Sequence, residues 1–185
     1  AVNRNTIGRW ISSYEDGGIS KMLEIKTKSN RKFSIPSPVL EKLKDKLQKV
    51  DVLAVKTDVS KEEDCKNLIN STIKKFGKID ILINNAGIVD IKPLHEYTVE
   101  EWNYVMDVNV RSMFLSFKYA FPYLREHENS YVVNLGSISS FVGQDTTPVY
   151  TTSKGAVLNL SKSIGLDYAR YGIRCNCVCP GITET

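Results

Sequence analysis

The chain has 185 residues, of which 42% are hydrophobic and 25% charged, and its formal net charge is +4. This composition excludes a disordered chain, and no apolar run approaches the roughly 18 residues that a membrane-spanning helix requires. Because the first twenty positions also lack the apolar core of a secretory signal, the sequence predicts a cytoplasmic protein without membrane contact.

The charge is divided unevenly along the chain. Residues 1–49 hold eleven Lys and Arg against five Asp and Glu, whereas residues 50–185 hold fourteen against sixteen. This asymmetry indicates two segments of different character, and the basic one suits a polyanionic partner.

The sequence pattern of residues 1–49 predicts helices and no strand. Apolar side chains follow helical spacing from Ile7 to Tyr14, and Gly17-Gly18 can end this first helix. A basic loop at residues 26–32 follows, and Ser37-Pro38 then opens a second helix with a leucine stripe.

From residue 50 onward, predicted strands alternate with predicted helices. The strands are nearly continuous apolar runs: Val52–Val55, Ile79–Ile83, Tyr131–Leu135 and Ile173–Cys179. The helices begin at the capping boxes Ser60–Glu63 and Thr98–Glu101 and near Val149, and they end at Gly77, about Arg125 and about Tyr171. This order predicts an α/β fold with a four-strand parallel core, helices on both of its faces, and residues 1–49 packed apart from it.

Three cysteines, Cys175, Cys177 and Cys179, alternate along the last predicted strand and therefore share one face. A zinc site usually needs a fourth ligand and a C-x-x-C type of spacing, and cytosolic chains rarely carry disulfides. Packing is favoured over metal binding for these cysteines and for Cys65, so no metal site is predicted.

Tyr150 and Lys154 are the first pair with catalytic character. Their i, i+4 spacing places both side chains on one face of the predicted helix, where an ammonium could stabilise a phenolate. Such a tyrosine is a usable acid and base for a carbonyl/alcohol pair, although both residues could equally be solvated surface groups. Ser137 follows a strand at the edge where parallel sheets bind ligands, or is simply a turn residue.

Taken in order, six features of residues 50–185 resemble the short-chain dehydrogenase/reductase family. They are Asn84–Gly87, Asn109, Ser137, the Tyr150-to-Lys154 pair, Tyr171–Asn176 and Pro180-Gly181, with thirteen residues from Ser137 to Tyr150. The resemblance implies a partial Rossmann-like, doubly wound sheet. It also implies hydride transfer between NAD or NADP and a small-molecule carbonyl or secondary alcohol.

The resemblance also implies roles for individual residues. The catalytic group would be Asn109 holding a relay water, Ser137 bonding the substrate oxygen, Tyr150 as acid and base, and Lys154 assisting Tyr150 and holding the nicotinamide ribose. For cofactor binding, Asp58 would contact the adenine. The turn beside the adenine ribose would be formed by Asn85, Ala86 and Gly87. The loop on the nicotinamide side would be formed by Pro180, Gly181, Thr183 and Thr185. Each of these positions also has a plain structural interpretation as a helix start, a turn or a loop.

The first 49 residues depart from that family, which normally opens with a strand and a T-G-x-x-x-G-x-G turn that holds the pyrophosphate. They resemble instead the helix-turn-helix module of insertion-sequence transposases, through Val2–Ile7, Arg9-Trp10, Gly17-Gly18, the basic loop and Ile35–Pro38. The resemblance implies base contacts by Arg4, Asn5 and Arg9 and phosphate contacts by Lys26, Lys28, Arg31 and Lys32. A solvated basic helical segment is the alternative.

These observations predict a fusion near Lys49 of a partial helix-turn-helix segment (1–49) with an incomplete dehydrogenase domain (50–185). The expected activity is nicotinamide-dependent hydride transfer, impaired because the pyrophosphate turn and the substrate loop after Thr185 are both missing. The alternative is a DNA-binding transposase fragment joined to an inactive relic. Weak DNA binding through residues 1–49 and a homo-oligomeric state are compatible with either.

Overall fold

The computed structural model describes residues 51–181. Residues 57–181 lie in one compact unit, and residues 51–56 fall in another. The predicted helix-turn-helix segment and the predicted cofactor residues Thr183 and Thr185 lie outside the described residues.

The described part of the chain alternates helices and strands. In chain order these are α1 (Glu62–Phe76), β1 (Ile81–Asn84), α2 (Val99–Met106), α3 (Ser112–Leu124), β2 (Ser130–Leu135), α4 (Pro148–Tyr168) and β3 (Ile173–Val178). A π-helical turn, Asp107–Arg111, joins α2 to α3, and 3₁₀ turns occupy Leu94–Glu96, Ile138–Ser140 and Ala169–Tyr171. The helix predicted from Thr98 to about Arg125 is therefore interrupted at the π turn. Pro122 lies inside α3 and does not end it.

The three strands of the described residues form one parallel sheet in the order β1-β2-β3. Asn84 pairs with Asn134, and Leu135 pairs with Val178, so the strands end together at one edge. The fold is α/β with a partial Rossmann-like sheet, and the common edge is where such sheets bind their ligands.

The prediction of a strand at Val52–Val55 is wrong. No strand is assigned there, and within residues 51–181 the sheet has three strands rather than the predicted four. Val52 and Leu53 are each more than a third exposed. An apolar run is a local signal, and it does not by itself place a segment in a sheet.

One of the two predicted capping boxes is confirmed. Glu101 N donates to Thr98 Oγ1 (3.2 Å) and Thr98 N donates to Glu101 Oε2 (2.9 Å), which fixes the start of α2. The box at Ser60–Glu63 is wrong, because α1 starts at Glu62 without a side-chain cap. The hydroxyl of Ser60 donates instead to Asp58 Oδ1 at 2.7 Å.

The hydrophobic core of the described residues lies between the helices and one face of the sheet. Its buried members come from α1, α3, α4, β2, β3 and the segment before β1: Ile69, Ile79, Phe117, Ala120, Leu124, Val132, Ile164 and Ile173. On the opposite face Ile81 is 56% exposed and Ile83 62% exposed, so within residues 51–181 the helices cover one face and not the predicted two. Cys65 packs as predicted and is 1% exposed.

The lengths and apolarity of the helices in residues 51–181 can be compared with what a membrane span requires. Not one of them is both long enough and apolar enough to cross a bilayer.

Candidate active site

Three chain segments meet at the carboxyl edge of the sheet because they follow the three parallel strands. Asn85–Gly87 follows β1, Gly136-Ser137 follows β2, and residues 179–181 follow β3. The second and third segments are joined by backbone hydrogen bonds, from Gly136 N to Val178 O (2.8 Å) and from Ile138 N to Pro180 O (2.9 Å). Residues predicted from separate parts of the sequence are thus brought to one place.

Lys154 is held at this edge from the first half of α4. It is 4% exposed, and its Nζ donates to Leu135 O at 2.7 Å. The same Nζ lies 5.6 Å from the centre of the Tyr150 ring, so the two side chains share a helix face as their spacing predicts. Burial lowers the pKa of Lys154, and interactions with Cys177 and Cys179 partly oppose that effect.

Ser137 is fixed against α4 by a neighbouring serine. Ser137 N donates to Ser140 Oγ (3.1 Å), and Ser140 Oγ in turn donates to the backbone carbonyl of Lys154 (2.8 Å). The hydroxyl of Ser137 donates to Ser139 Oγ (3.1 Å), and that of Ser139 donates to Gln144 Oε1 (2.7 Å). Ser137 and Lys154 therefore belong to one hydrogen-bonded unit, although they are contributed by different elements.

Asn109 lies in the π-helical turn and is fully buried. Its Nδ2 donates to Ile88 O (2.9 Å) and to Ser153 Oγ (2.9 Å), and its Oδ1 accepts from Ile88 N (2.8 Å). Both amide hydrogens are thus committed, since an asparagine side chain has only two. A relay water of the kind that the family resemblance implies would have to be held by an oxygen of Asn109.

Gly87 marks the point where Asn109 and Lys154 come together. A β-carbon at this position would lie 3.5 Å from Asn109 Oδ1 and 3.5 Å from Lys154 Nζ. The turn after β1 therefore passes directly over the two predicted catalytic side chains. Asn85 is exposed and Ala86 is half-buried beside it.

Asp58 lies in the turn that leads into α1. Its Oδ1 accepts from both Ser60 N (3.3 Å) and Ser60 Oγ (2.7 Å), and its backbone N donates to Asp64 Oδ2 (2.8 Å). The carboxylate thus organises the turn into the helix, as in the plain structural interpretation. Its adenine contact remains a prediction, as do the nicotinamide-side contacts of Pro180 and Gly181, which are exposed after β3.

Sequence reasoning missed the residues that hold the site together. Ser140 and Ser153 support Ser137 and Asn109 as described above, and a buried amide pair lies beneath them: Asn84 Nδ2 donates to Asn134 Oδ1 (2.8 Å). Asn134 Nδ2 in turn donates to Ser161 Oγ (2.9 Å). The available signal was an asparagine inside an otherwise apolar strand, since a buried amide needs hydrogen-bonding partners.

A family model described as short chain dehydrogenase matches residues 30–185. Among curated proteins, 2-(R)-hydroxypropyl-CoM dehydrogenase of Xanthobacter autotrophicus is 46% identical, with 72% of this chain and 55% of that protein covered. The 3beta-hydroxysteroid dehydrogenase 2 of Eggerthella lenta is 38% identical, with 74% and 53% covered. The chain therefore spans about half the length of the curated relatives it matches.

Solved structures show the same likeness. A gluconate 5-dehydrogenase from Burkholderia cenocepacia, in complex with NADP and tartrate, aligns at a TM-score of 0.66 and 33% identity over 69% of this chain and 50% of that one. A short-chain alcohol dehydrogenase from Sinorhizobium meliloti, described as putative in its source, aligns at 0.72 and 26% identity over 80% of this chain and 57% of that one.

Proposed function

This chain belongs to the short-chain dehydrogenase/reductase family, and from that premise we propose that it transfers a hydride between NAD or NADP and a secondary alcohol or its ketone. The observation that carries the proposal is the convergence of Lys154, Tyr150, Ser137 and Asn109 at the carboxyl edge of the sheet. Two relatives support the substrate class, because a 2-hydroxypropyl group and a 3β-hydroxysteroid are both secondary alcohols.

The donors at the edge fit the ribose end of a nicotinamide cofactor. The Lys154 ammonium has three hydrogens and gives one to Leu135 O, and it faces the narrow space left by the missing side chain of Gly87. A ribose hydroxyl is the kind of acceptor that such a buried ammonium binds. The NADP in the Burkholderia structure supports NADP as one of the two cofactors to test.

The proposed steps use the side chains already described. The bound nicotinamide supplies or accepts the hydride. The Tyr150 hydroxyl gives its proton to the carbonyl oxygen during reduction and recovers it during oxidation, while the Ser137 hydroxyl binds the same oxygen. Asn109 positions the turn at Gly87 and, through an oxygen, a water that exchanges the proton with solvent.

The proposal is tested by label transfer, since an accumulating product reveals even slow turnover. The 185-residue chain is incubated with NADPH or NADH deuterated at the transferred position and a panel of ketones, and product deuterium is measured by mass spectrometry. Tyr150→Phe is expected to lower the label at least tenfold, while Tyr131→Phe, on the exposed face of β2, should retain it. Equal labelling by the two variants would contradict the assignment of Tyr150.

DNA binding by residues 1–49 is the second candidate, and the excess of eleven Lys and Arg over five Asp and Glu favours it. The family match begins at residue 30 and so overlaps the second half of this segment. Retention on duplex DNA that falls steeply with salt would support the candidate. Retention that is unchanged when Lys26, Lys28, Arg31 and Lys32 are replaced together by Gln would count against it.

A further inference from the structure

Two cysteine sulphurs lie in contact where β3 ends. Cys177 is the penultimate residue of β3 and Cys179 follows its last residue, and their Sγ atoms are 3.7 Å apart. Both residues are free thiols and partly exposed, so a small reagent can reach them. Neither residue has a role in the proposed hydride transfer.

The two sulphurs lie against the site described above. A β-carbon on Gly136 would be 2.8 Å from Cys177 Sγ and 2.7 Å from Cys179 Sγ, so only a glycine leaves room for them. Both cysteines also interact electrostatically with the buried ammonium of Lys154. The pair therefore lies beside the segment after β2 and near Lys154 of α4.

We propose that Cys177 and Cys179 form a dithiol site that low-molecular-weight disulfides, such as oxidised glutathione, convert reversibly into an intramolecular disulfide. The thiolate of one cysteine attacks the small disulfide, forms a mixed disulfide and releases one thiol. The second cysteine then attacks the mixed disulfide and releases the other thiol. Two protein thiols are oxidised to one disulfide, while one molecule of the small disulfide is reduced to two thiols.

Bond formation requires a short movement of the two sulphurs. The sulphurs must approach from 3.7 Å to about 2.05 Å, while hydrogen bonds from Gly136 N and Ile138 N hold the carbonyls of Val178 and Pro180 in place.

The third cysteine of the strand, Cys175, has a different hydrogen-bond partner. Its Sγ accepts from Asn134 Nδ2 at 3.7 Å, and burial raises its pKa to about 11. The titratable groups facing Cys177 are Cys175 and Cys179 on its own strand and Lys154 on α4, and burial also raises the pKa of Cys177. Because the thiolate is the reacting form, exchange should be slow near neutral pH.

The proposed disulfide does not depend on the proposed function, but it would form beside the same site. Cys179 directly precedes Pro180-Gly181, which the family resemblance assigns to the nicotinamide side of the cofactor. The bond would therefore form directly beside this segment.

The test uses the reduced 185-residue chain, oxidised glutathione and intact-mass measurement. Wild type should lose two hydrogen atoms without adding glutathione, and its maleimide-reactive thiols after denaturation should fall from four to two. Trypsin leaves all three strand cysteines on one peptide after Arg174, so variants must locate the bond. Cys175→Ser should behave as wild type, whereas Cys177→Ser and Cys179→Ser should retain glutathione as a mixed disulfide or stay reduced.

Two results would overturn the proposal. One is wild type that accumulates only mixed disulfides, and the other is an internal disulfide that persists in Cys179→Ser or disappears in Cys175→Ser. Circular dichroism establishes that each serine variant is folded. If a variant is not folded, phenylarsine oxide, which bridges two adjacent thiols, gives a second measurement on wild type. Binding of one equivalent by the reduced chain and of none after oxidation supports the pair. Undiminished binding after oxidation refutes it.

Discussion

Lys154 is a buried cation, and within residues 51–181 no carboxylate is among the groups that shift its pKa. Burial, its largest influence, disfavours the charged form and lowers the pKa, and Cys177 and Cys179 oppose this only in part. The folded chain therefore holds this proton less tightly than the unfolded chain does. A group of this kind adds stability above its unfolded pKa and loses that stability as the pH falls through the folded pKa.

The first prediction follows from that sign. As pH rises from neutral toward the ordinary lysine pKa of 10.5, the unfolding free energy of wild type should increase relative to that of Lys154→Met. Urea unfolding of both proteins across this range measures the difference, and Lys162→Met, on the same helix, is the control whose difference should change less. A wild-type advantage that shrinks with pH would show that Lys154 is stabilised as a cation.

Asn109 carries the second prediction. Asn109→Ala would leave the N–H and C=O of Ile88 without their side-chain partner, at a cost of about 2–4 kcal/mol in unfolding free energy. Asn103→Ala, at an exposed position of α2, should cost less than about 0.5 kcal/mol. Equal losses in chemical denaturation would mean that Asn109 does not hold the turn after Gly87.

At the scale of elements, two glycines end helical segments in the left-handed region but differ in their surroundings. Gly77 closes α1 at φ 76° with open space where a β-carbon would be. Gly172 precedes β3 at φ 74°, and a β-carbon there would lie 2.3 Å from Glu128 O. The backbone conformation is the same in both, whereas the tertiary contact exists in one.

The third prediction compares these two positions. Gly77→Ala should lower the unfolding free energy by about 1 kcal/mol, the cost of a left-handed alanine. Gly172→Ala should cost at least about 3 kcal/mol, because the loop at Glu128 must also move away from β3. Thermal or urea unfolding of the two variants measures the difference, and similar losses would refute the contact at Gly172.

At the scale of the whole molecule, the residues of the candidate site are present while the phosphate anchor is not in the sequence. Residues 1–185 contain no T-G-x-x-x-G-x-G turn, whose backbone N–H groups hold the pyrophosphate in this family. Hydride transfer depends on holding two reactants in register, so a cofactor that is poorly anchored gains little from well-placed side chains.

The fourth prediction is that the 185-residue chain binds NADPH and NADH only in the millimolar range. This is a loss of about 4 kcal/mol or more against a micromolar site, and steady-state turnover should be so slow that the effect of Tyr150→Phe is seen only in accumulated label. Calorimetry and reduced-cofactor fluorescence measure the affinity. Micromolar binding, together with turnover abolished by Tyr150→Phe, would show a complete cofactor site and contradict the prediction.

The sequence alone was enough to predict the α/β class, three of the four strands, the α2 capping box, and the Tyr150 and Lys154 pair on one helix face. These follow from local periodicity and spacing, which are properties of the chain alone. The folded structure was needed to find that Val52–Val55 forms no strand, that Asp58 shapes a turn, that Ser140 and Ser153 support the site, and that Cys177 meets Cys179 beside Lys154. Each of these depends on which distant backbone or side chain lies within a few ångströms, and sequence spacing does not specify such neighbours.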